Sequence, residues 1–281
     1  MGVRMSFFTQ FSGGPARITE YTSGSGNFTP LSTTNSYARV TIVAAGGGGG
    51  GGFYSGNLGS GAGGGGGGGG TKIFEMKLNE SSYSYAVGAG GAGGTAGVSP
   101  SAGGNGSDGS ISRFSNIIVM AGGGGSGGPT ANTQGNGGAS GYGDYQWIIS
   151  GPSQFIIPAG VNSGGRGGAG ASRGTAVGFV IGTNTASQVT NTLLVNTFVG
   201  QAVLGAVSSP GWTNGNKGGC GGDSAYGKGA DGPDTNPSTP GTTPNEGYGG
   251  GGSGGCSARV ASAGAGGTGK GGYILIEEYV F

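Results

Sequence analysis

Histidine is absent from the 281 residues, which removes at once the usual general base, the commonest metal ligand and the ordinary activator of a Ser or Cys nucleophile. A two-carboxylate hydrolytic site would have to draw on Glu20, Glu75, Asp108, Asp144, Asp223 and Asp231, and no spacing places two of them together. Catalysis is therefore not expected, and no cofactor is implied.

Two glycine-rich segments come close to ligand-holding motifs. Gly264-Ala265-Gly266-Gly267-Thr268-Gly269-Lys270 spells the first seven positions of a phosphate-binding P-loop, whose backbone amides cradle phosphate while the Lys reaches its terminal groups. The eighth position is Gly271 instead of Ser or Thr, and a strand-like segment follows where the motif needs a helix. Gly103-Gly104-Asn105-Gly106-Ser107-Asp108 and Gly218-Gly219-Cys220-Gly221-Gly222-Asp223 open like the calcium-binding nonapeptide, but that site is built from stacked consecutive copies, and neither is followed by a second. No metal is expected. Cys220 and Cys256 both lie in glycine-rich context; two buried free thiols are expected, with a bridge between them as the alternative.

Aromatics remain. Tyr54, Tyr142, Tyr145, Trp212, Tyr226 and Tyr248 each sit in or beside a glycine-rich block, flanked by Asn, Ser and Gly. Such rings offer large contact area at low entropic cost and form an adaptable recognition surface; packing against the glycine segments is the competing reading for each. Trp147, followed by Ile148 and Ile149, is assigned to the core. The 12 basic and 11 acidic residues are spread thinly, so neither nucleic acid nor an anionic membrane is an expected partner.

The elements that must position these rings are unusual. Glycine supplies 79 residues and, with proline, about a third of the chain, a level that normally signals low complexity or disorder. Yet a third of the residues are hydrophobic and the net charge is only +1, so the chain can bury a core. No apolar run is long enough to cross a membrane, and the first residues, from Met1 to Phe8, carry no apolar stretch of signal-peptide length. Synthesis and release in a cytosol are expected.

Strand-like segments recur at Val3–Phe11, Arg17–Tyr21, Tyr37–Ala44, Thr71–Leu78, Tyr83–Val87, Ile111–Met120, Gln146–Ile149 with Phe155–Ile157, Val177–Ile181 with Gln188–Val207, and Tyr273–Val280. Thr71–Leu78 and Tyr83–Val87 flank the turn formers Asn79-Glu80-Ser81-Ser82 and read as a hairpin. Almost no α-helix is expected. Between the strands lie glycine-rich blocks at 44–70, 88–110, 121–144, 159–174, 211–232 and 245–272. Flexible linkers do not recur in this way within a compact domain. Glycine can instead adopt the extended threefold polyproline II geometry, with no internal hydrogen bonds and about 3.1 Å per residue, so that parallel rods exchange hydrogen bonds sideways. Collagen's strict third-residue period is broken here. The expected fold is all-β: one glycine-rich domain over 1–281, with a sandwich or jelly-roll-like scaffold from the N-terminal strands (1–45), the hairpin and the closing strand (273–281), and a polyglycine bundle built from the blocks within 46–272.

Gly26-Asn27-Phe28-Thr29-Pro30 leads to Tyr37–Ala45 and the first glycine run. Tyr85-Ala86-Val87-Gly88-Ala89-Gly90-Gly91, Ile117-Ile118-Val119-Met120-Ala121-Gly122-Gly123 and Gly271-Gly272-Tyr273-Ile274-Leu275-Ile276 repeat the alternation of strand and glycine block. In this order the chain resembles the glycine-rich domains of tail fibre, spike and adhesin proteins of tailed bacteriophages. The resemblance implies a virion protein, made in the host cytoplasm, that packs polyglycine helices into a bundle and displays loops bearing the six aromatics to a bacterial surface polysaccharide or outer-membrane protein. No coiled coil or shaft is present, which suits a tip or small attached module within a symmetric assembly of virion proteins. A purely structural decoration or fibre-anchoring subunit and, more remotely, an ice-binding protein are the rival expectations.

Overall fold

The computed structural model describes residues 14–54, 61–98, 101–128, 135–141, 157–162, 167, 218–233, 238–258 and 262–281. Nine strands form among them: β1 (Arg17–Tyr21), β2 (Ser25–Phe28), β3 (Ser36–Val43), β4 (Thr71–Leu78), β5 (Tyr83–Ala86), β6 (Ser112–Phe114), β7 (Ile117–Val119), β8 (Ile157–Asn162) and β9 (Tyr273–Val280). One antiparallel sheet runs β1-β9-β3-β4-β8 and a second runs β2-β5-β6-β7. Alternation decides what each strand buries. Val40, Ile42, Phe74, Met76, Leu78, Ile274 and Ile276 of the first sheet meet Phe28, Tyr83, Phe114, Ile117 and Val119 of the second in one continuous core, so the strands make a sandwich, and the described residues form an all-β fold without α-helix, as expected.

Two local expectations are corrected. β4 and β5 are not a hairpin: β4 pairs with β3 and β8, whereas β5 pairs with β2 and β6. The Asn79–Ser82 turn carries the chain from one sheet to the other, and the Tyr83 hydroxyl accepts the N–H groups of Asn79 and Glu80. The segment Ile111–Met120 is not one strand but two, broken by a turn in which Ser115 takes φ 54°. β2 was not anticipated, and residues 159–162 belong to β8, not to a glycine block. The expected strands at Val3–Phe11, Gln146–Ile149, Val177–Ile181 and Gln188–Val207, and Trp147, lie outside the described residues.

Glycine rods grow out of the strand ends. In chain order we number rod 1 (44–53), rod 2 (61–70), rod 3 (88–97), rod 4 (101–110), rod 5 (121–128), rod 6 (135–141), rod 7 (218–224), rod 8 (227–233), rod 9 (239–243), rod 10 (249–258) and rod 11 (263–272). β3 continues into rod 1, rod 2 into β4, and rod 11 into β9. Because Val43 lies opposite both Thr71 and Tyr273, sheet pairing hands its register directly to the bundle. The next bonds are Ala44 N–H to Gly70 O at 2.9 Å and Gly46 N–H to Lys270 O at 2.9 Å.

Rod 1 shows the rule. Its N–H groups at Ala44, Gly47, Gly50 and Phe53 donate to Gly70, Gly67, Gly64 and Gly61 of rod 2. Those at Ala45, Gly48 and Gly51 donate to Ser110, Ser107 and Gly104 of rod 4, and those at Gly46, Gly49 and Gly52 to Lys270, Gly267 and Gly264 of rod 11. Its carbonyls accept in the same rotation from rod 3 (Gly91, Gly94, Gly97), rod 5 (Gly122, Gly125, Gly128) and rod 10 (Gly252, Gly255, Ala258). Partners change with a period of three residues, the repeat of the polyproline II helix. Falling partner numbers make the rods that accept from rod 1 antiparallel to it, and rising numbers make those that donate to it parallel. Rod 1 is thus ringed by six rods, and rods 2 and 10 are likewise buried throughout.

This spacing demands glycine. A Cβ on Gly48 would overlap the carbonyl oxygen of Ala92, and one on Gly66 that of Gly47. The bond that a side chain would use points a Cα hydrogen at that oxygen, a contact that adds about 0.5–1 kcal/mol to the roughly 1 kcal/mol of each N–H···O bond. At the bundle's margin side chains complete the pattern. Asp108 and Asn105 accept the outward N–H groups of Gly124 (2.7 Å) and Gly127 (2.9 Å), Ser107 that of Ala92 (2.7 Å) and Ser126 that of Asn136 (2.6 Å).

In the sandwich a fully buried carboxylate pairs with a partly exposed guanidinium. Glu278, fully buried, accepts from Arg17 (2.6 Å) and from the Leu31 N–H (2.7 Å), while the Arg17 guanidinium lies over the Phe28 ring at 4.7 Å. E278A leaves the Leu31 N–H without its acceptor, while Arg17, a third exposed, keeps its bond to Thr29 O, so the variant is expected to lose about 1–3 kcal/mol in denaturant unfolding. Rod 11 supplies a sharper contrast. A Cβ on Gly269 would overlap Gly46 O, whereas one on Gly271 would find nothing nearer than Gly88 O at 3.5 Å. G271A should melt within a few degrees of the parent or slightly above it, and G269A should lose about 3 kcal/mol or more.

Candidate functional site

Hairpins of rods sort the turns of the chain to two ends. At the sandwich end rods enter and leave strands. At the other end lie the rod ends at Phe53 and Gly61, Gly97 and Ser101, Gly128 and Gly135, Pro233 and Thr239, and Ala258 and Ala263. Rod 1 spans the distance between the ends, about 28 Å from Ala44 to Phe53 at 3.1 Å per residue. These rod ends are held side by side: Phe53 donates to Gly61 and accepts from Ala258, Gly97 donates to Gly52, and Gly128 donates to Gly51.

The structure divides the expected aromatic surface. Tyr54 lies at the remote end, half-buried and bridged in parallel fashion to Ala258. Tyr226 and Tyr248 lie at the sandwich end, on the flank of the bundle. Tyr54 is thus separated by the length of the rods from Tyr226 and Tyr248, which share the sandwich end. Tyr142, Tyr145 and Trp212 lie outside the described residues.

Tyr248 stacks on Tyr273, the first residue of β9, with ring centroids 4.4 Å apart and planes at 11°; Tyr226, more than a third exposed, leans toward the same ring at 6.4 Å. The turn carrying Tyr226 is closed by Ser224, whose N–H donates to Gly227 O (2.8 Å) and whose hydroxyl donates to Tyr248 O and accepts from Tyr226 N–H. Beside it a shallow cleft of about 410 Å³ is lined by Asp223, Ser224, Tyr226, Lys228 and Glu246. Burial raises the Asp223 carboxyl, and the Gly229 N–H donating to it partly offsets this. The bond and ion pair to Asp231 hold the exposed Lys228 above its usual range. Tyr273 was not singled out from sequence, although it follows a glycine block just as the other aromatics do.

The motif-like segments have structural duties. Gly264–Lys270 is part of rod 11, with the N–H groups of Gly264, Gly266, Gly267, Gly269 and Lys270 all spent on neighbouring rods. Asp108 and Asp223, the acidic ends of the two nonapeptide-like segments, accept backbone N–H groups of other rods. Cys220 and Cys256 are both buried thiols with no disulfide between them; the Cys220 sulfur accepts from Gly232 N–H (3.2 Å), and the Cys256 thiol donates to Pro233 O (3.8 Å).

Burial, and then the nearby Glu20 carboxylate, push the Tyr273 hydroxyl up to about 12. Since the folded chain holds this proton more tightly than the unfolded one, the contribution to stability is complete below about pH 10 and disappears between about pH 10 and 12. Burial also raises Tyr21, Tyr83 and Tyr279, so ultraviolet titration of the native protein should show a late-ionising group of tyrosines that includes Tyr273. Y273F should remove one tyrosine from that group and lessen the corresponding loss of melting temperature.

A model of the glycine-rich domain family matches residues 22–278. No curated protein sequence matches the chain. The match takes in the sandwich strands β2 to β8, β9 as far as Glu278, and every numbered rod, and the chain belongs to the glycine-rich domain family.

Proposed function

We propose that the protein is a tail fibre or tail tip adhesin of a tailed bacteriophage, acting by non-catalytic recognition of a bacterial surface polysaccharide or outer-membrane protein. The observation that carries this reading is the gathering of five pairs of rod ends at the end of the bundle remote from the sandwich, next to Tyr54 and the strongly exposed Val98. Loops presented on a rigid support are where binding residues concentrate. A rod lattice is well suited to the task, because backbone hydrogen bonds fix the rod ends. The order of strand and glycine block resembles that of phage adhesins, which supports the same reading. The sandwich end, with its buried Glu278 carboxylate, then faces the rest of the virion.

The test is retention of the purified, fluorescently labelled full-length protein on intact cells of a broad panel of bacteria. The reading expects retention on a narrow subset, at least tenfold weaker binding for Y54A at unchanged melting temperature, and unaltered binding for the flank variant Y226A/Y248A. Retention by no strain, or equal retention by all, would remove the adhesin reading in favour of a structural virion subunit. Loss only in the flank variant would move the binding surface to the Tyr226 cleft.

A further inference from the structure

The groove between rods 3 and 11 has the shape and polarity of a lattice position from which a rod is missing. The two rods are direct neighbours, since the N–H groups of Gly266, Gly269 and Gly272 donate to Gly94, Gly91 and Gly88. In rod 3, Gly91, Gly94 and Gly97 donate to rod 1, and Ala92 to the Ser107 hydroxyl of rod 4. Threefold symmetry sends the third set, Gly90, Gly93 and Ala96, outward along the rod 11 side, where they meet no acceptor among the described residues. In rod 11 the carbonyls of Gly264, Gly267 and Lys270 accept from rod 1 and that of Ala265 from Gly241. Those of Gly266 and, deeper in the groove, Gly269 receive no donor among the described residues. They lie over the Cα atoms of Gly93 and Gly90. The Gly123 carbonyl lies over Gly47 in the same way while accepting from Gly67 of a third rod.

One wall of the groove therefore offers N–H groups and the other C=O groups, each recurring every three residues, or about 9.3 Å. A β-strand repeats its outward groups every two residues, about 6.6–7 Å, and cannot match both walls. A threefold glycine rod can. What stands in its way is the outward side of rod 11. Gly264 and Gly267 aim their missing side chains at rod 9, and Gly266 and Gly269 aim theirs at rod 1. The remaining direction, toward the groove, is taken by Ala265, Thr268 and Gly271. Thr268 is exposed, and its hydroxyl is paired with that of Thr243 at 2.6 Å.

We propose that this groove is an augmentation site for a glycine-rich, threefold segment of another polypeptide, held closed in this chain by the side chains of Ala265 and Thr268. Their Cβ atoms occupy the direction in which every inner rod contact requires glycine, and a rod seated there would place a carbonyl oxygen on each. Addition of a rod to a hydrogen-bonding edge is the counterpart of strand addition to a sheet. The two side chains act as charged or bulged residues do on an exposed strand edge.

The probe is the peptide Lys-(Gly-Gly-Pro)3-Lys, in which proline presets the threefold helix and leaves two of its three faces as glycine. It is titrated into the full chain and into A265G/T268G, with amide chemical shifts as the readout. The variant is expected to show saturable shifts at Gly90, Gly93 and Ala96 in the millimolar range, with Gly91 and Gly94 unmoved, and the parent is expected to show none. A folded variant without those shifts would overturn the proposal. Equal shifts in the parent would show that Ala265 and Thr268 close nothing. Should the double variant fail to fold, T268G alone must show the shift at Gly90, and its absence there counts equally against the proposal.

Discussion

Everything in this molecule depends on backbone hydrogen bonding between extended chains that approach closer than any side chain permits. Ordering each residue costs about 1–2 kcal/mol, with glycine at the upper end, and one N–H···O bond returns about 1 kcal/mol. The two are so nearly matched that a rod inside the bundle, out of reach of water, has to pair nearly all of its groups. Rod 1 meets the demand with six neighbours and a bond from every N–H between Ala44 and Phe53. The Cα–H···O contacts that accompany these bonds are available only because the residues at the contacts are glycine.

The sandwich solves the problem that a bundle of this kind cannot solve alone, namely where to start. A run such as Gly46–Gly52 carries no information about register, since each glycine is equivalent to the next. The apolar core of Val40, Phe74, Ile274 and their partners fixes β3 against β4 and β9, and the rods leave the sheet already aligned. At the other margin, Asp108, Asn105, Ser107 and Ser126 cap outward N–H groups. Lattice order thus begins at strands and ends at polar side chains, and the chain turns are left at a defined end.

Much of this was legible in the sequence. The recurrence of glycine blocks between strands pointed to ordered rods, and the alternation in Tyr273–Val280 located β9. Pairing was not legible for Thr71–Leu78 and Tyr83–Val87: turn formers mark a reversal but do not say whether the flanking strands join one sheet or two. The break at Ser115-Asn116 was hidden by apolar residues on both sides. The caps were overlooked because Asp108 and Asp223 invite a metal-ligand reading, whereas their use as acceptors depends on rods that are distant in sequence. The division of Tyr54 from Tyr226 and Tyr248 follows from the direction in which each rod runs, which composition cannot reveal.

Residue-resolved hydrogen exchange across rod 1 tests the central claim most directly. If the glycine run is held by its six neighbours, the amides of Gly46 to Gly52 should exchange as slowly as those of Val40 and Ile42 in β3, within about tenfold, while the outward amides of Gly90 and Gly93 exchange orders of magnitude faster. Exchange of Gly46 to Gly52 at the rate of an unstructured peptide, with β3 still protected, would contradict it.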